Sequence, residues 1–196
     1  MSGAGMDDVG ALRVEGEVPI SDRDEELALA ARTDPAAFGL LYERHRLAVF
    51  RYLRTRAPSE DDAAELTAVA FERALAAMPR YRSTGGGILA WLLRIGRNAS
   101  IDAGRRTSTV PLPDDEPDVR RAGEPETLAI ERERRASLVA TINELPTIQR
   151  EAIVLRYAAR LTAREIGVVI DRTDQATQKL LSRALATLRE NHHVDD

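Results

Sequence analysis

The sequence contains no cysteine, only 4% aromatic residues and a single lysine, Lys179. The missing thiols exclude disulfide bonds, thiol catalysis and cysteine-ligated zinc. The three histidines, His45, His192 and His193, do not have the spacing of a metal site. We therefore expect no metal and no cofactor. Because aromatic side chains are scarce, the 43% of hydrophobic residues must build their cores from Leu, Ala, Ile and Val.

Long hydrophobic runs are also missing. No apolar stretch approaches the roughly 18 residues that a membrane-spanning helix needs. The N-terminal segment carries Asp7, Asp8, Glu15 and Glu17, whereas a secretory signal peptide begins with basic residues. We therefore expect a cytoplasmic protein without membrane insertion.

Charge is distributed unevenly along the chain, although the formal net charge is only −4. Residues 79–106 hold six arginines against Asp102 alone, a net charge of +5. Residues 107–125 hold five acidic residues, two arginines and four prolines, which is typical of a linker. No strand pattern is visible, so the sequence predicts an all-α fold of two small helical domains. The predicted parts are a flexible acidic tail over 1–22, a helical domain over 23–106, an acidic Pro-rich linker over 107–125 and a second helical domain over 126–192.

The second predicted domain has the order of a helix-turn-helix unit. Pro146 suits the first position of a helix, and Thr162 with Glu165 can form a capping box at the next one. Asp171 stands at a sharp turn, where Asp tolerates a left-handed conformation. The helix after this turn is the candidate recognition helix for a DNA major groove. The residues that we expect to contact duplex DNA are Arg172, Thr173, Asp174, Thr177, Gln178, Lys179 and Arg183.

The basic stretch of the first domain suggests contact with a nucleic-acid strand. Three glycines at 85–87 precede a predicted helix over 88–98, in which apolar and basic residues interleave. Cations beside a flexible loop can hold the phosphates and splayed bases of a single strand. Trp91 lies in the apolar part of this helix, which favours a core position over base contact. The predicted strand contacts are Arg82, Arg94, Arg97, Asn98, Arg105 and Arg106.

One acidic cluster could belong to an enzyme. Asp61, Asp62 and Glu65 lie within one helical turn and could hold magnesium, as in helical isoprenoid synthases. Such a site needs a second acidic cluster on a facing helix, and acids at a helix start also favour the positive end of its dipole. We therefore expect no enzymatic activity, with a magnesium-dependent helical enzyme kept as an alternative.

A series of short motifs follows one another along the chain. They are residues 38–45, 50–53, 71–75, 81–82, 90–98, Asp102, 105–106, 145–146, 149–151, 155–157, 161–166 and 182–185. Their joint order resembles the extracytoplasmic-function (ECF) group of bacterial sigma-70 family RNA polymerase sigma factors, and the resemblance covers nearly all of residues 38–189. It implies a factor that directs core RNA polymerase to specific promoters, with a first domain that docks on the polymerase and melts the minus-ten element. The second domain would read the duplex minus-thirty-five element.

The resemblance also implies partners, namely core RNA polymerase, promoter DNA and an anti-sigma factor. A helix-turn-helix regulator that does not recruit polymerase is the alternative within DNA binding. The positions that the resemblance assigns to polymerase docking are Asp62, Glu65, Leu66, Phe71 and Arg73.

The chain departs from the family pattern at both interfaces. Ala68 and Val69 stand where the docking helix usually carries Gln and Glu, and Asp171 replaces the usual turn glycine. Gln178 and Leu180 occupy positions that commonly hold Lys and Arg. We therefore expect duplex binding that is weak and has a shallow salt dependence. The sequence leaves open whether an additional partner compensates for these departures.

Overall fold

The computed structural model describes residues 20–83, 85–104 and 136–192. These residues form α-helices joined by short turns and contain no strand, which confirms the predicted all-α class. A short 3-10 turn, Met78–Arg80, follows the third helix. The helices are α1 (Ile20–Ala30), α2 (Pro35–Arg54), α3 (Glu60–Ala77), α4 (Gly87–Gly104), α5 (residues 136–144), α6 (Thr147–Tyr157), α7 (Ala163–Ile170) and α8 (Asp174–His192).

Side-chain caps fix where the helices of the first domain begin. The Asp34 carboxylate accepts a hydrogen bond from the backbone N–H of Ala36 (2.8 Å), and Pro35 occupies the first turn of α2. The Ser59 hydroxyl accepts one from the N–H of Asp62 (3.1 Å) at the start of α3. Helix α1 begins at Ile20, inside the stretch predicted to be tail, so that boundary is corrected.

The reason for this correction lies in the apolar side of α1. Ala28 and Ala31 are buried, and Leu27 packs beside them against the core of the first domain. Burial of these side chains holds α1 against the first domain, and the helix extends N-terminally from them to Ile20.

The glycine turn before α4 requires glycine at two positions. Gly85 and Gly87 have positive φ angles of 77° and 68°, which side-chain-bearing residues rarely adopt. Between them, Gly86 lies against α7, since a Cβ atom added there would be 2.8 Å from Cγ2 of Val168. The turn therefore both starts α4 and contacts the second domain.

The two predicted domains pack directly on each other through α4 and α7. One apolar cluster includes Leu53 and Leu93 from the first domain and Leu155 and Ile166 from the second. A smaller cluster, formed by Leu145, Ile153 and Ala184, anchors α8 within the second domain. The predicted linker over 107–125 lies outside the described residues.

A buried polar group joins α1 to α2. His45 is buried in α2, and its Nε2 atom lies 3.4 Å from Oδ2 of Asp24, whose other oxygen accepts a hydrogen bond from Arg44. Burial lowers the pKa of His45 below its usual 6.5, against the opposing effect of the Asp24 charge, and the Arg44 charge lowers it further. The imidazole is therefore neutral in the folded protein at neutral pH.

This shift predicts a loss of stability in mild acid. The pKa of His45 is lower in the folded than in the unfolded chain, so the unfolded state takes up the proton first as the pH falls through 6.5. The free energy of unfolding should fall over that range, and His45→Gln should remove this part of the decrease. Thermal unfolding followed by circular dichroism at about pH 7.5 and about pH 5.5 measures it. Arg46→Gln, an exposed change on the same helix, is the control; an equal decrease in both variants would contradict the prediction.

Candidate nucleic-acid interface

The helix-turn-helix unit forms as its local sequence predicts. The Thr162 hydroxyl accepts a hydrogen bond from the N–H of Glu165 (3.3 Å), and the Glu165 carboxylate accepts one from the N–H of Thr162 (2.6 Å). This capping box starts α7. Asp171 ends α7 in the left-handed conformation, with φ 57° and ψ 55°. Pro146 is the residue before α6 rather than its first helical residue, a shift of one position.

Close contact between α7 and the start of α8 sets the direction of α8. A Cβ atom at Gly167 would lie 2.5 Å from the carbonyl oxygen of Arg172, so only glycine permits this approach. The Thr177 hydroxyl donates a hydrogen bond to the carbonyl oxygen of Thr173 (2.9 Å) and faces the same contact.

Thr177 is therefore corrected as a DNA contact. Its side chain is fully buried, as is that of Ala184 seven residues later on the same face of α8. The recognition helix uses this face to pack on the second domain, which leaves the opposite face for other contacts.

The opposite face of α8 carries polar side chains in contact with solvent. Asp174 accepts a hydrogen bond from the side-chain amide of Gln178 (3.1 Å), which orients that amide. Leu180 is half-buried and packs against the core cluster, so the family's usual cation has no exposed place there. Arg172 and Thr173 are also exposed at the start of the helix. A shared surface groove is lined by Gln175, Gln178, Lys179, Ser182 and Arg183.

Gln175 and Ser182 were not among the predicted contacts. They lie three residues before and four residues after Gln178, so helical periodicity alone places them on its face.

The predicted strand-binding residues of the first domain are not all equally accessible. Arg82 and Asn98 are exposed, whereas Arg94 is half-buried and lines a groove shared with the α7–α8 turn. Trp91 is half-buried and its ring packs edge-on against Tyr81 at 5.0 Å, in agreement with a core position. Arg105 and Arg106 lie outside the described residues.

Arg97 does not face solvent as predicted but contacts the second domain. Its Nε atom donates a hydrogen bond to Oε1 of Glu151 (2.9 Å) in α6. The same oxygen accepts hydrogen bonds from the Tyr52 hydroxyl (2.6 Å) and from Nη1 of Arg56 (3.0 Å). We call these four residues the Glu151 cluster. The Glu151 side chain is only 4% exposed, so its carboxylate lies within the domain interface.

Ser100 links two of the residues that donate to Glu151. Nε of Arg56 donates a hydrogen bond to the Ser100 hydroxyl (2.8 Å), which donates to the carbonyl oxygen of Arg97 (2.8 Å). Burial first, and then the Glu151 charge, raises the pKa of Tyr52 well above its usual range. The phenol therefore remains protonated and acts as a donor at physiological pH.

The sequence did not lead us to predict the Glu151 cluster, although it contains one indication of a buried acid. Ile148, Glu151 and Leu155 fall on one helical stripe, so an acid interrupts an otherwise apolar face. A buried acid requires a partner, and this partner comes from residues 54 to 99 positions away.

The residues expected to dock on polymerase lie in α3 but on different faces. Glu65 and Arg73 are exposed, and Arg73 donates a hydrogen bond to Asp102 of α4 (2.8 Å). Asp62 is exposed and accepts a hydrogen bond from the Ser59 hydroxyl at the helix cap (2.6 Å). Leu66 is half-buried against the core.

Phe71 is corrected as a direct docking residue. It is buried, and its ring packs edge-on against Tyr42 at 4.8 Å and Phe38 at 6.5 Å. One turn further along α3, Leu75 is 49% exposed, so it adds an apolar side chain to the surface of this helix.

The acidic residues at the start of α3 do not form a metal site. Asp61, Asp62 and Glu65 are all exposed, and across residues 20–83, 85–104 and 136–192 no three His, Cys, Asp or Glu residues are placed to hold a metal ion. The same part of the chain contains no helix that is long and apolar enough to cross a membrane.

Comparison with known proteins gives a consistent result. Residues 41–109 match the family described as Sigma-70 region 2, and residues 135–188 match Sigma-70, region 4. The chain is 31% identical to the ECF RNA polymerase sigma factor BldN of Streptomyces coelicolor over 180 residues, which cover 87% of this chain and 67% of BldN. It is 30% identical to the ECF RNA polymerase sigma factor SigD of Mycobacterium tuberculosis over 177 residues, 85% of this chain and 82% of SigD.

A solved structure supports the same assignment. CnrH, in complex with the cytosolic domain of CnrY, is 28% identical and superposes with a TM-score of 0.63, covering 88% of this chain and 99% of CnrH. The two matched regions lie in the first domain and in the helix-turn-helix domain described above. The chain therefore belongs to the ECF group of the sigma-70 family, the RNA polymerase sigma factors that direct the polymerase to promoters for transcription initiation.

Proposed function

We propose that this sigma factor docks on core RNA polymerase through α3, melts the minus-ten element with α4 and its preceding loop, and reads the minus-thirty-five duplex with α8. The observation that carries the proposal is the division of α8 into two faces. Thr177 and Ala184 anchor it in the core, while Gln175, Lys179 and Arg183 remain accessible along one groove. A helix held in this way can enter a major groove without unfolding its domain.

The chemistry of the groove suits sequence reading with few phosphate contacts. Gln175 and Gln178 can each donate to and accept from base edges, whereas Lys179 and Arg183 supply the nearby positive charge. Base contacts give specificity and phosphate contacts give affinity. The proposed binding mode is therefore selective but weak.

Strand separation is assigned to the surface that begins at the glycine turn. Arg82 lies before this turn, and Asn98 lies beyond the first half of α4. Both side chains are exposed. An exposed cation can hold a phosphate and an exposed amide can pair with the edge of an unstacked base. These are the groups that a melted minus-ten strand requires.

Polymerase docking is assigned to the outer face of α3. Glu65 and Arg73 give this face charges of both signs, and Leu75 adds an exposed apolar side chain. Mixed polar and apolar surfaces of this kind are common in protein interfaces. Leu66 supports the face from inside, since it is turned towards the core.

An anti-sigma factor and a cytoplasmic location complete the proposal. CnrH is held by the cytosolic domain of CnrY, and it shares 28% identity and the fold with this chain. We propose a protein partner of the same regulatory class here. The regulator alternative, which would lack polymerase recruitment, is not favoured because the match to region 2 covers the first domain.

Restoring one cation on α8 should strengthen duplex binding. Gln178→Lys adds a positive charge at an exposed position beside Lys179, so it should tighten binding of promoter duplex by the full chain and raise the salt slope by about 0.9. Fluorescence anisotropy at several salt concentrations measures both. Leu40→Lys, an equal charge on an exposed site of α2, should change neither. A folded Gln178→Lys protein that binds no more tightly would show that this face of α8 does not meet DNA.

Loss of the strand contacts should separate polymerase binding from melting. Arg82→Ala with Asn98→Ala should assemble with core polymerase normally but leave the promoter closed, because both side chains are exposed and outside the core. Permanganate footprinting after mapping of transcript starts on genomic DNA reports the melted bases.

Glu65→Arg on α3 should instead prevent assembly with core polymerase, while Glu43→Arg, at a side chain that is 66% exposed on α2, should not. If the unmodified protein and sigma-free core polymerase together give no transcript starts, the proposed function is overturned.

A further inference from the structure

The Glu151 cluster holds more positive than negative charge. Arg56 and Arg97 both point at a single carboxylate oxygen, with N···O distances of 3.0 and 2.9 Å, and each arginine is only 20% exposed. Two cations in a partly desolvated site require an anion between them. Glu151 fulfils this requirement from the second domain, so separation of the domains would leave the two arginines without it.

The three donors form a site that fits any oxyanion of this size. Two guanidinium N–H groups and one phenol converge on the same oxygen atom, an arrangement that suits a phosphate oxygen as well as a carboxylate oxygen. All three donors belong to the first domain: Tyr52 lies in α2, Arg56 in the turn that follows it and Arg97 in α4. Ser100, also of the first domain, bonds the Arg56 side chain and the backbone carbonyl of Arg97.

We propose that Tyr52, Arg56 and Arg97 form a phosphodiester-binding pocket of the first domain, which Glu151 occupies while the domains are closed and which a DNA strand occupies after they separate. The proposal rests on the proposed use of α4 in strand binding. Asn98 follows Arg97 on the same helix and is exposed, so a strand that reaches Asn98 lies one residue from the pocket.

Glu151 competes well because it is part of the same chain. An intramolecular ligand acts at a high effective concentration, so a free strand cannot displace it easily. Closed domains would therefore suppress DNA binding by the first domain, and loss of the Glu151 charge would relieve this suppression. The pocket thus couples domain closure to strand affinity.

The first test compares full-length variants in binding a fluorescent single-stranded oligonucleotide of mixed sequence. Glu151→Gln should bind about tenfold more tightly than the unmodified chain, a factor on the scale of one charge-assisted hydrogen bond. Glu72→Gln makes the same chemical change at an exposed site of α3, a helix that is not assigned to DNA binding, and should have no effect. Adding Arg56→Gln to Glu151→Gln should reverse the gain and lower the salt slope by about 0.7. If Arg56→Gln leaves the gain intact, the pocket does not bind the strand.

A second variant tests closure without disturbing the Glu151 cluster. The chain has no cysteine, and a Cβ atom at Gly86 would lie 3.1 Å from Cβ of Val168, slightly closer than a disulfide requires. Gly86→Cys with Val168→Cys should therefore form a disulfide that locks the domains after a small shift. The oxidised protein should bind the oligonucleotide no better than the unmodified chain, even with Glu151→Gln added, and reduction should restore the gain. Each single cysteine variant is a control. Equal oligonucleotide binding by the oxidised and reduced forms of the double-cysteine protein that also carries Glu151→Gln would overturn the proposal.

These measurements separate the pocket from the function proposed above. If the unmodified chain initiates transcription with core polymerase but Glu151→Gln does not alter strand binding, the pocket is wrong and the sigma function stands. If strand binding depends on Glu151 and Arg56 but no transcription starts are found, the pocket stands and the proposed function fails.

Discussion

One buried carboxylate joins the two domains of this protein. Glu151 accepts three hydrogen bonds from Tyr52, Arg56 and Arg97, and its side chain is 4% exposed. Removing one partner of a buried ion pair typically costs about 3–5 kcal/mol, which is large beside the roughly 5–15 kcal/mol that stabilises a folded protein. The closed arrangement therefore combines this matched charge with the apolar cluster that the two domains share.

The second domain shows the opposite principle, since its reading helix is held by contacts that do not depend on charge. Gly167 permits the close approach of α7 to Arg172, and Thr177 fills the space beside it. With the inner face of α8 fixed, its outer face is free to vary. Gln178 lies on this outer face and is exposed, so the side chain at this position does not take part in the core of the domain. Leu180 is different because it packs against the core, and its apolar character stabilises the domain.

Local chemistry predicted much of the fold. Thr162 and Glu165 form the expected capping box and Asp171 adopts the expected left-handed conformation, because each of these features depends on residues close in sequence. It was harder to predict which face of each helix packs in the core. Thr177 and Phe71 were expected at interfaces but are buried, since a side chain's type does not show which of two neighbouring stripes faces the core. The contact of Arg97 with Glu151 could not be predicted at all, because it pairs residues of two domains and no periodicity encodes such a pairing.

If Glu151 holds the two domains together, the closed arrangement must exist in the free chain and must respond to loss of the Glu151 charge. The absence of cysteine allows spin labels to be placed at two introduced cysteines, Leu47→Cys in α2 and Ala186→Cys in α8, both at exposed positions. Electron spin resonance then measures the distance between the labels. We expect one narrow distance distribution for the free chain, and a longer and broader one when Glu151→Gln is added. A distribution that is already broad in the chain with Glu151 intact, or that does not respond to Glu151→Gln, would contradict the account.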